Sequence, residues 1–172
     1  GEGLLCPLCK GVLSRDGGSL VCGKAHRFDL SAEGYVNLAV GKSGAGDNRA
    51  MCRARRDFLA AGYYRPFAEG IGRALAAAMA TPGVVCDAGC GEGYYLRAAR
   101  DFLPTCSFIG FDLAKDSVRF AAKAERGRED AAFFAVAGIF DMPLPDASCA
   151  AVTSVFAPIP AEEARRVLGE NG

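Results

Sequence analysis

The sequence predicts an α/β chain, a doubly wound parallel sheet preceded by a small metal-binding ribbon. Three observations carry that prediction. The first is the spacing C-x2-C-x12-C-x3-H made by Cys6, Cys9, Cys22 and His26. The second is an alternation of short apolar runs with helical segments from residue 84 onward. The third is a glycine-rich turn, Asp87-Ala88-Gly89-Cys90-Gly91-Glu92-Gly93, where one such run meets one such helix.

Residues 1–38 read as a zinc-binding domain. The knuckles Cys6-Pro7-Leu8-Cys9 and Cys22 to His26 each offer two soft or borderline ligands, which together close a tetrahedron on one Zn2+. All four positions come from protein, so the ion is expected to be structural. Gly11–Leu13 and Ser19–Val21 read as short strands around a turn at Asp16-Gly17-Gly18, a hairpin that brings the knuckles together. His26 is the one histidine in the chain and stands where the fourth ligand belongs. The alternative, three buried cysteines and a surface histidine, makes the whole spacing an accident.

Residues 39–65 read as a connector and a helical segment. Gly41 to Asn48 is rich in glycine and polar residues and suits a connector. Met51, Ala54, Phe58 and Ala61 then recur at helical spacing, and Gly62 ends the helix. A third unit, residues 66–172, opens with a helix from Pro66 to Met79, stopped by Thr81-Pro82-Gly83. Strands follow at 84–88, 107–112, 132–136 and 150–156, and helices at 94–103, 117–126 and 161–168. This alternation is the mark of a parallel sheet.

Formal net charge is zero over 172 residues, so nothing global points to nucleic acid. Lys42, Arg49, Arg53, Arg55, Arg56, Arg65 and Arg73 nevertheless crowd one segment, which suits either a polyanion-facing surface or a solvated helix face. Five further cysteines, Cys52, Cys86, Cys90, Cys106 and Cys149, sit in apolar or helical contexts, as small core residues do. No secretory signal or membrane-spanning run is present, and free thiols suit a reducing, cytoplasmic setting with no membrane partner.

The glycine turn lets a ligand approach the backbone beside a helix N-terminus. Asp87 at the strand end is placed to meet an ammonium group, for which a dinucleotide site has no use. The next strand ends in Asp112, which suits the hydroxyls of a ribose. Asp87, Gly89, Gly91, Glu92, Gly93 and Asp112 together describe a pocket for S-adenosylmethionine. The alternative is a dinucleotide turn, but its fingerprint is G-x-G-x-x-G and this loop reads G-C-G-E-G. Asp112 alone also fits a helix cap.

The stretch Asp87 to Tyr95 resembles motif I of class I S-adenosylmethionine-dependent methyltransferases. With Cys6 to Cys9, His26-Arg27-Phe28-Asp29, Glu33 to Leu38, Ala54 to Leu59, Gly62-Tyr63-Tyr64 and Phe156-Ala157-Pro158, the chain resembles the 23S ribosomal RNA (guanine-N1)-methyltransferases. The resemblance covers essentially the whole chain. It implies a Cys3His zinc ribbon before a Rossmann-like methyltransferase domain. Cys6, Cys9, Cys22 and His26 match the zinc ligands, and Asp112 matches the ribose-binding acid. Glu92 and Gly93 lie in the cofactor loop. Tyr64 matches a tyrosine that closes over the methionine end; taken alone it fits a packing role.

Two departures stand out. Gly138 occupies the position where many such enzymes carry an acid near the adenine, which leaves backbone or Asp141 for that contact. The sequence also stops where the family continues with further strands. The sheet is therefore expected to be incomplete at the C-terminus, with an open strand that invites a homodimer.

The implied reaction is methyl transfer from S-adenosylmethionine to N1 of a guanine in a 23S rRNA hairpin. Asp141 is a candidate base and Phe156 a candidate to border the target base. The zinc module and the arginine cluster are expected to grip the RNA backbone. Two rival readings remain: a small-molecule methyltransferase with a structural ribbon, and a non-catalytic zinc-ribbon RNA-binding fragment.

Overall fold

The computed structural model describes residues 3–41 and 49–168. The connector expected at Gly41 to Asn48 lies outside the described residues from Lys42 on, as does Gly169 to Gly172.

The chain begins with a three-stranded antiparallel ribbon: β1 (Leu13–Asp16), β2 (Ser19–Cys22) and β3 (Arg27–Asp29). The turn at Gly17-Gly18 sets Asp16 opposite Ser19 and Leu13 opposite Cys22. That register places Cys22 at the end of the hairpin that also carries Cys6 and Cys9. The third strand was not foreseen. Its exposed–intermediate–exposed pattern has too few apolar residues to announce a strand, and pairing with β2 creates it.

A short strand β4 (Val36–Asn37) leaves the ribbon and joins a second, wholly parallel sheet. The rest of the chain runs α1 (Arg49–Ala60), α2 (Arg65–Ala78), β5 (Val84–Ala88), α3 (Tyr94–Arg100), β6 (Ser107–Asp112), α4 (Lys115–Glu125), β7 (Phe133–Val136), β8 (Ala151–Thr153) and α5 (Ala161–Leu168). The strand order is β4-β7-β6-β5-β8. The chain moves outward from β5 to β7, then returns to the other side of β5 to place β8. That reversal opens a crevice at the carboxyl ends of β5, β6 and β8, where parallel α/β sheets bind ligands.

Alternate residues of each strand serve two cores. Val85, Phe108 and Phe134 pack with Leu96 and Ala99 of α3 and Val118 and Ala121 of α4 on one face. Cys86, Ile109, Phe111 and Ala135 face the other way and share a cluster with Leu4, Leu13 and Leu20 of the ribbon, together with Met142 and Val167. The crossover from β7 to β8 carries no helix, so the ribbon and α5 cover that face. Leu5 N–H donates to Pro143 O at 2.8 Å across the join. Residues 36–37 thus fall within the stretch 1–38 expected as a zinc domain, yet they form an edge strand of the larger sheet.

β8 ends at Thr153 rather than 156. Phe156 adopts φ +53, and Ser154 Oγ donates to Pro158 O at 2.9 Å, so the chain turns back instead of extending. Among the described residues β8 pairs with β5 alone and forms an edge of the sheet.

Candidate functional site

The ribbon brings its four expected ligands together. Cys6 Sγ and Cys22 Sγ each lie 3.4 Å from His26 Nδ1, and Cys9 Sγ lies 3.6 Å from Cys22 Sγ. All four ligand atoms fall within 4.8 Å of one another. A tetrahedral ion about 2.3 Å from sulfur has edges of roughly 3.7 Å, so the donor set and its spacing fit zinc. Cys6 and Cys22 are buried, which also suits a structural site.

The second site is a cleft of about 420 Å³ at the switch point of the sheet. Its floor is the turn after β5. Gly89 N–H and Cys90 N–H both donate to Phe111 O, at 2.8 and 2.9 Å, which ties the turn to the end of β6. Gly89 has φ +80, and a Cβ there would stand 2.5 Å from Ala157 Cβ. Only glycine allows the β5 and β8 turns to approach this closely. Gly91 N–H then donates to Asp112 Oδ2 at 2.9 Å, while Asp112 Oδ1 accepts from Ala114 N–H at 2.8 Å. The carboxylate therefore shapes the loop, closes a turn just ahead of α4 and lines the cleft. Asp112 is not the cap of α4, whose N-cap is Ala114 with no side-chain cap.

Gly89, Gly91, Glu92, Asp112, Tyr64 and Phe156 all line the cleft, as the sequence reading expected of a shared site. Tyr64 precedes α2 and meets Phe156 edge-on, with ring centroids 6.1 Å apart. Phe156 is 76% exposed and also contacts Phe67 and Tyr95. Its left-handed backbone swings the ring across the mouth of the cleft. Such strain in a non-glycine residue is retained mostly where function needs the geometry.

Three expected residues are placed differently. Asp87 is 2% exposed and does not line the cleft. Thr153, its partner across the β5–β8 ladder, donates its hydroxyl to Asp87 Oδ1 at 2.8 Å. Burial pushes the Asp87 carboxyl up to about 6 against that hydrogen bond, with the charge of Asp112 adding to the rise. Asp87 braces the loop from below. Gly93, with φ +75, also lies outside the lining and turns the chain into α3. Asp141 pairs with Lys10 at 2.6 Å beside the first zinc knuckle, well exposed and away from the cleft lining. The loop after β7 packs on the ribbon, which carries Asp141 away from any role as base in this cleft.

Arg55 was read as part of a backbone-gripping cluster. It lines the cleft, on the face of α1 that also presents Phe58 and Leu59. The spacing of 55, 58 and 59 carries that signal, but α1 has almost no buried side chain to show which face turns inward. Arg56 pairs with Asp57 at 3.2 Å and lies over the Phe120 ring at 4.9 Å, which docks α1 on α4. Arg53 stays exposed on the outer surface of α1.

Comparison with known proteins agrees with this geometry. Residues 85–172 match the family model "Methyltransferase domain", and residues 4–39 match "RlmA, N-terminal", a zinc ribbon. A Micromonospora griseorubida protein named for guanine-N(1) methylation of 23S rRNA is 37% identical over 98% of this chain and 63% of its own length. The 23S rRNA (guanine(748)-N(1))-methyltransferase of Streptomyces fradiae is 36% identical over 98% of this chain and 60% of its own. The chain thus spans under two thirds of the length of these relatives. Among solved structures, a Methanococcus maripaludis methyltransferase superposes with a TM-score of 0.61 at 18% identity, covering 74% of this chain and 63% of that one, which supports the fold. The family implies S-adenosylmethionine in the cleft. The glycine cradle, the Asp112 acceptor and a buried unpartnered oxygen on Glu92 fit that molecule. With fold, cleft and ribbon in agreement, this chain belongs to the methyltransferase-domain family and carries the N-terminal zinc ribbon of the RlmA type.

Proposed function

We propose that this chain is the zinc-ribbon and cofactor-binding part of an enzyme that methylates N1 of a guanine in 23S rRNA. The observation that carries the reading is the pairing of a Cys3His ribbon with a switch-point cleft through one shared core, in a chain 36–37% identical to two relatives named for that reaction. S-adenosylmethionine, when bound, supplies a methyl group already activated on sulfonium. The protein's task is then mainly alignment. Asp112 takes the ribose hydroxyls, Gly89 and Gly91 let the ligand lie against the backbone, and Tyr64 covers the methionine end.

Phe156 borders the acceptor. A guanine splayed from a hairpin loop can stack on an exposed ring beside the cleft and offer its Watson–Crick edge. Guanine N1 carries a proton at neutral pH, so a base must accept it. Asp141 is not positioned to do so. The exposed Arg53 and the ribbon contact the RNA backbone. Among the described residues the outer edge of β8 has no paired strand, and a second copy docked there would form a homodimer. None of the described helices is long and apolar enough to cross a membrane, and the reduced thiols favour a cytoplasmic site of action.

The test is incubation with labelled S-adenosylmethionine and unmodified 23S rRNA, followed by mapping of the label. Label on N1 of one hairpin guanine is expected. Label confined to small molecules, or to an RNA position other than a guanine N1, overturns the reading.

A further inference from the structure

The ring across the cleft mouth is the inner end of an aromatic strip. Phe156 meets Tyr64 at 6.1 Å between ring centroids, Tyr64 meets Phe58 at 5.7 Å, and Phe58 meets Tyr63 at 6.3 Å. The first three rings line the cleft, and Tyr63 lies beyond that lining. Tyr63 is 79% exposed, so core packing does not account for its ring. A contiguous exposed apolar patch marks an interaction surface.

The turn that carries Tyr63 is held in place. Gly62, at φ +86, follows α1; its N–H donates to Leu59 O and its carbonyl accepts from Arg65 N–H, each at 3.1 Å. Phe58 backs the Tyr63 ring at an interplanar angle of 30°. The ring therefore stands on a hydrogen-bonded turn between two helices, supported from behind and open to solvent.

The surroundings of the strip indicate what covers it. Arg55 lines the adjoining cleft, and Arg53 is exposed on the same helix. Arg65 follows Tyr64 directly, paired with Glu69 at 2.9 Å and with its side chain 77% open. Rings flanked by guanidinium groups suit bases on the rings and phosphates beside them. The spacing narrows the choice further. Stacked bases rise by roughly 3.4 Å per nucleotide along one strand of a duplex. Neighbouring rings of the strip stand 5.7–6.3 Å apart, which suits bases pulled away from one another, as in a splayed loop.

We propose that Tyr63 is a second base-stacking platform, holding a nucleotide that flanks the target guanine in a single-stranded RNA segment. The assignment rests on the proposed reaction, with the target guanine at Phe156. Stacking on a ring face reads no base edge, so this subsite accepts any base. It holds the strand outside the cleft and keeps the guanine turned inward. Tyr63 positions the RNA and takes no part in the transfer.

The test is fluorescence titration of the chain with two labelled single-stranded RNAs. One carries a central guanine in a short intact strand; the other lacks the bases on either side of that guanine. Wild type is expected to bind the intact RNA about 5- to 100-fold more tightly, the scale of one base stacked on an aromatic ring. Tyr63→Ala should weaken the intact RNA by a similar factor and leave the second RNA within about twofold of wild type. The salt dependence of binding should keep its slope, since no charge is removed. Tyr63→Phe and Tyr63→Trp should retain affinity, because the ring and not the hydroxyl makes the contact. Unchanged affinity for S-adenosylhomocysteine shows that a variant is folded. Equal binding of the two RNAs by wild type overturns the platform whether or not Tyr63→Ala folds. So does an undiminished affinity of Tyr63→Ala for the intact RNA, or a loss in Tyr63→Phe as large as in Tyr63→Ala. A Tyr63→Ala variant that loses self-association and keeps its RNA affinity gives the strip to a second copy instead. A wild type that binds neither RNA overturns the proposed reaction as well.

Discussion

Asp112 Oδ2 accepts the Gly91 N–H at 2.9 Å, joining the tip of β6 to the glycine turn that follows β5. One carboxylate thereby holds the loop in the shape the ligand needs and keeps lone pairs for the ligand itself. Asp112→Ala is expected to weaken S-adenosylmethionine binding by about 1.5–3 kcal/mol, the scale of a hydrogen bond to a charged group. Calorimetric titration reads this directly. Unchanged affinity would leave Asp112 as a structural brace alone.

Zinc should matter beyond the ribbon. Leu4, Cys6, Leu13, Leu20 and Cys22 lie in one buried cluster with Ile109, Phe111 and Met142 of the larger domain. Metal analysis is expected to find one Zn2+ per chain, and its binding energy becomes folding energy. Cys9→Ser, or chelation, should therefore shift a single calorimetric unfolding transition to lower temperature. Two transitions, with the upper one unmoved, would show that the ribbon folds independently.

Asp87 gives the fold a pH dependence. Its carboxyl titrates near the ordinary 3.8 in the unfolded chain and near about 6 when folded. Between these values the folded state binds the proton more tightly, so rising pH destabilises the fold until about pH 6 and the penalty then stays constant. Asp87→Asn removes the penalty. Without ligand it should stabilise the chain by about 1–3 kcal/mol at neutral pH and by little near pH 4. Urea titrations at the two pH values provide the comparison. An equal effect at both would mean the carboxylate is ionised throughout.

Phe156 sets stability against function. Its φ of +53 is strained for any residue with a Cβ, and its ring is mostly exposed. Phe156→Gly should leave folding stability unchanged or raise it by about 1 kcal/mol. The same change should weaken binding of a single-stranded RNA loop by about 1–3 kcal/mol if the ring stacks on a base. A large loss of stability would assign the ring to packing.

Arg53 and Arg56 of α1 should separate in salt titrations. Arg53→Ala is expected to reduce the slope of log affinity for an rRNA hairpin against log salt by about one unit. Arg56 is engaged by Asp57 and Phe120. Arg56→Ala should leave the slope unchanged and lower stability by about 0.5–1 kcal/mol. A reversed result would exchange their roles.

Much of the architecture was legible because its signals are local. Val84–Ala88 and Ser107–Asp112 are mostly apolar runs with an acid last or next to last, and both strands have the bounds read from sequence. The ligand set Cys6, Cys9, Cys22 and His26 was legible because metal geometry constrains spacing. Strand β3 and the short edge strand β4 were not, since pairing with β2 and β7 is what makes them strands. The end of β8 was misjudged for a related reason. Ala150 to Phe156 is apolar apart from Thr153 and Ser154, and the left-handed backbone of Phe156 at its end leaves no trace in composition.

The sequence by itself determined the metal donors, the order of strands and helices from residue 84 onward, and the glycine turn with Asp112 beyond it. Each depends on residues close together in the chain or on a fixed chemical spacing. The tertiary structure alone decided which acids reach the cleft. Pairing of β5 with β8 put Thr153 beside Asp87 and sealed that carboxylate beneath the loop. Packing of the β7–β8 crossover on the ribbon drew Asp141 to Lys10. The seating of α1 put Arg55 in the cleft lining. These placements depend on contacts between residues far apart in sequence, and no local pattern records which side chain a distant strand or helix will meet.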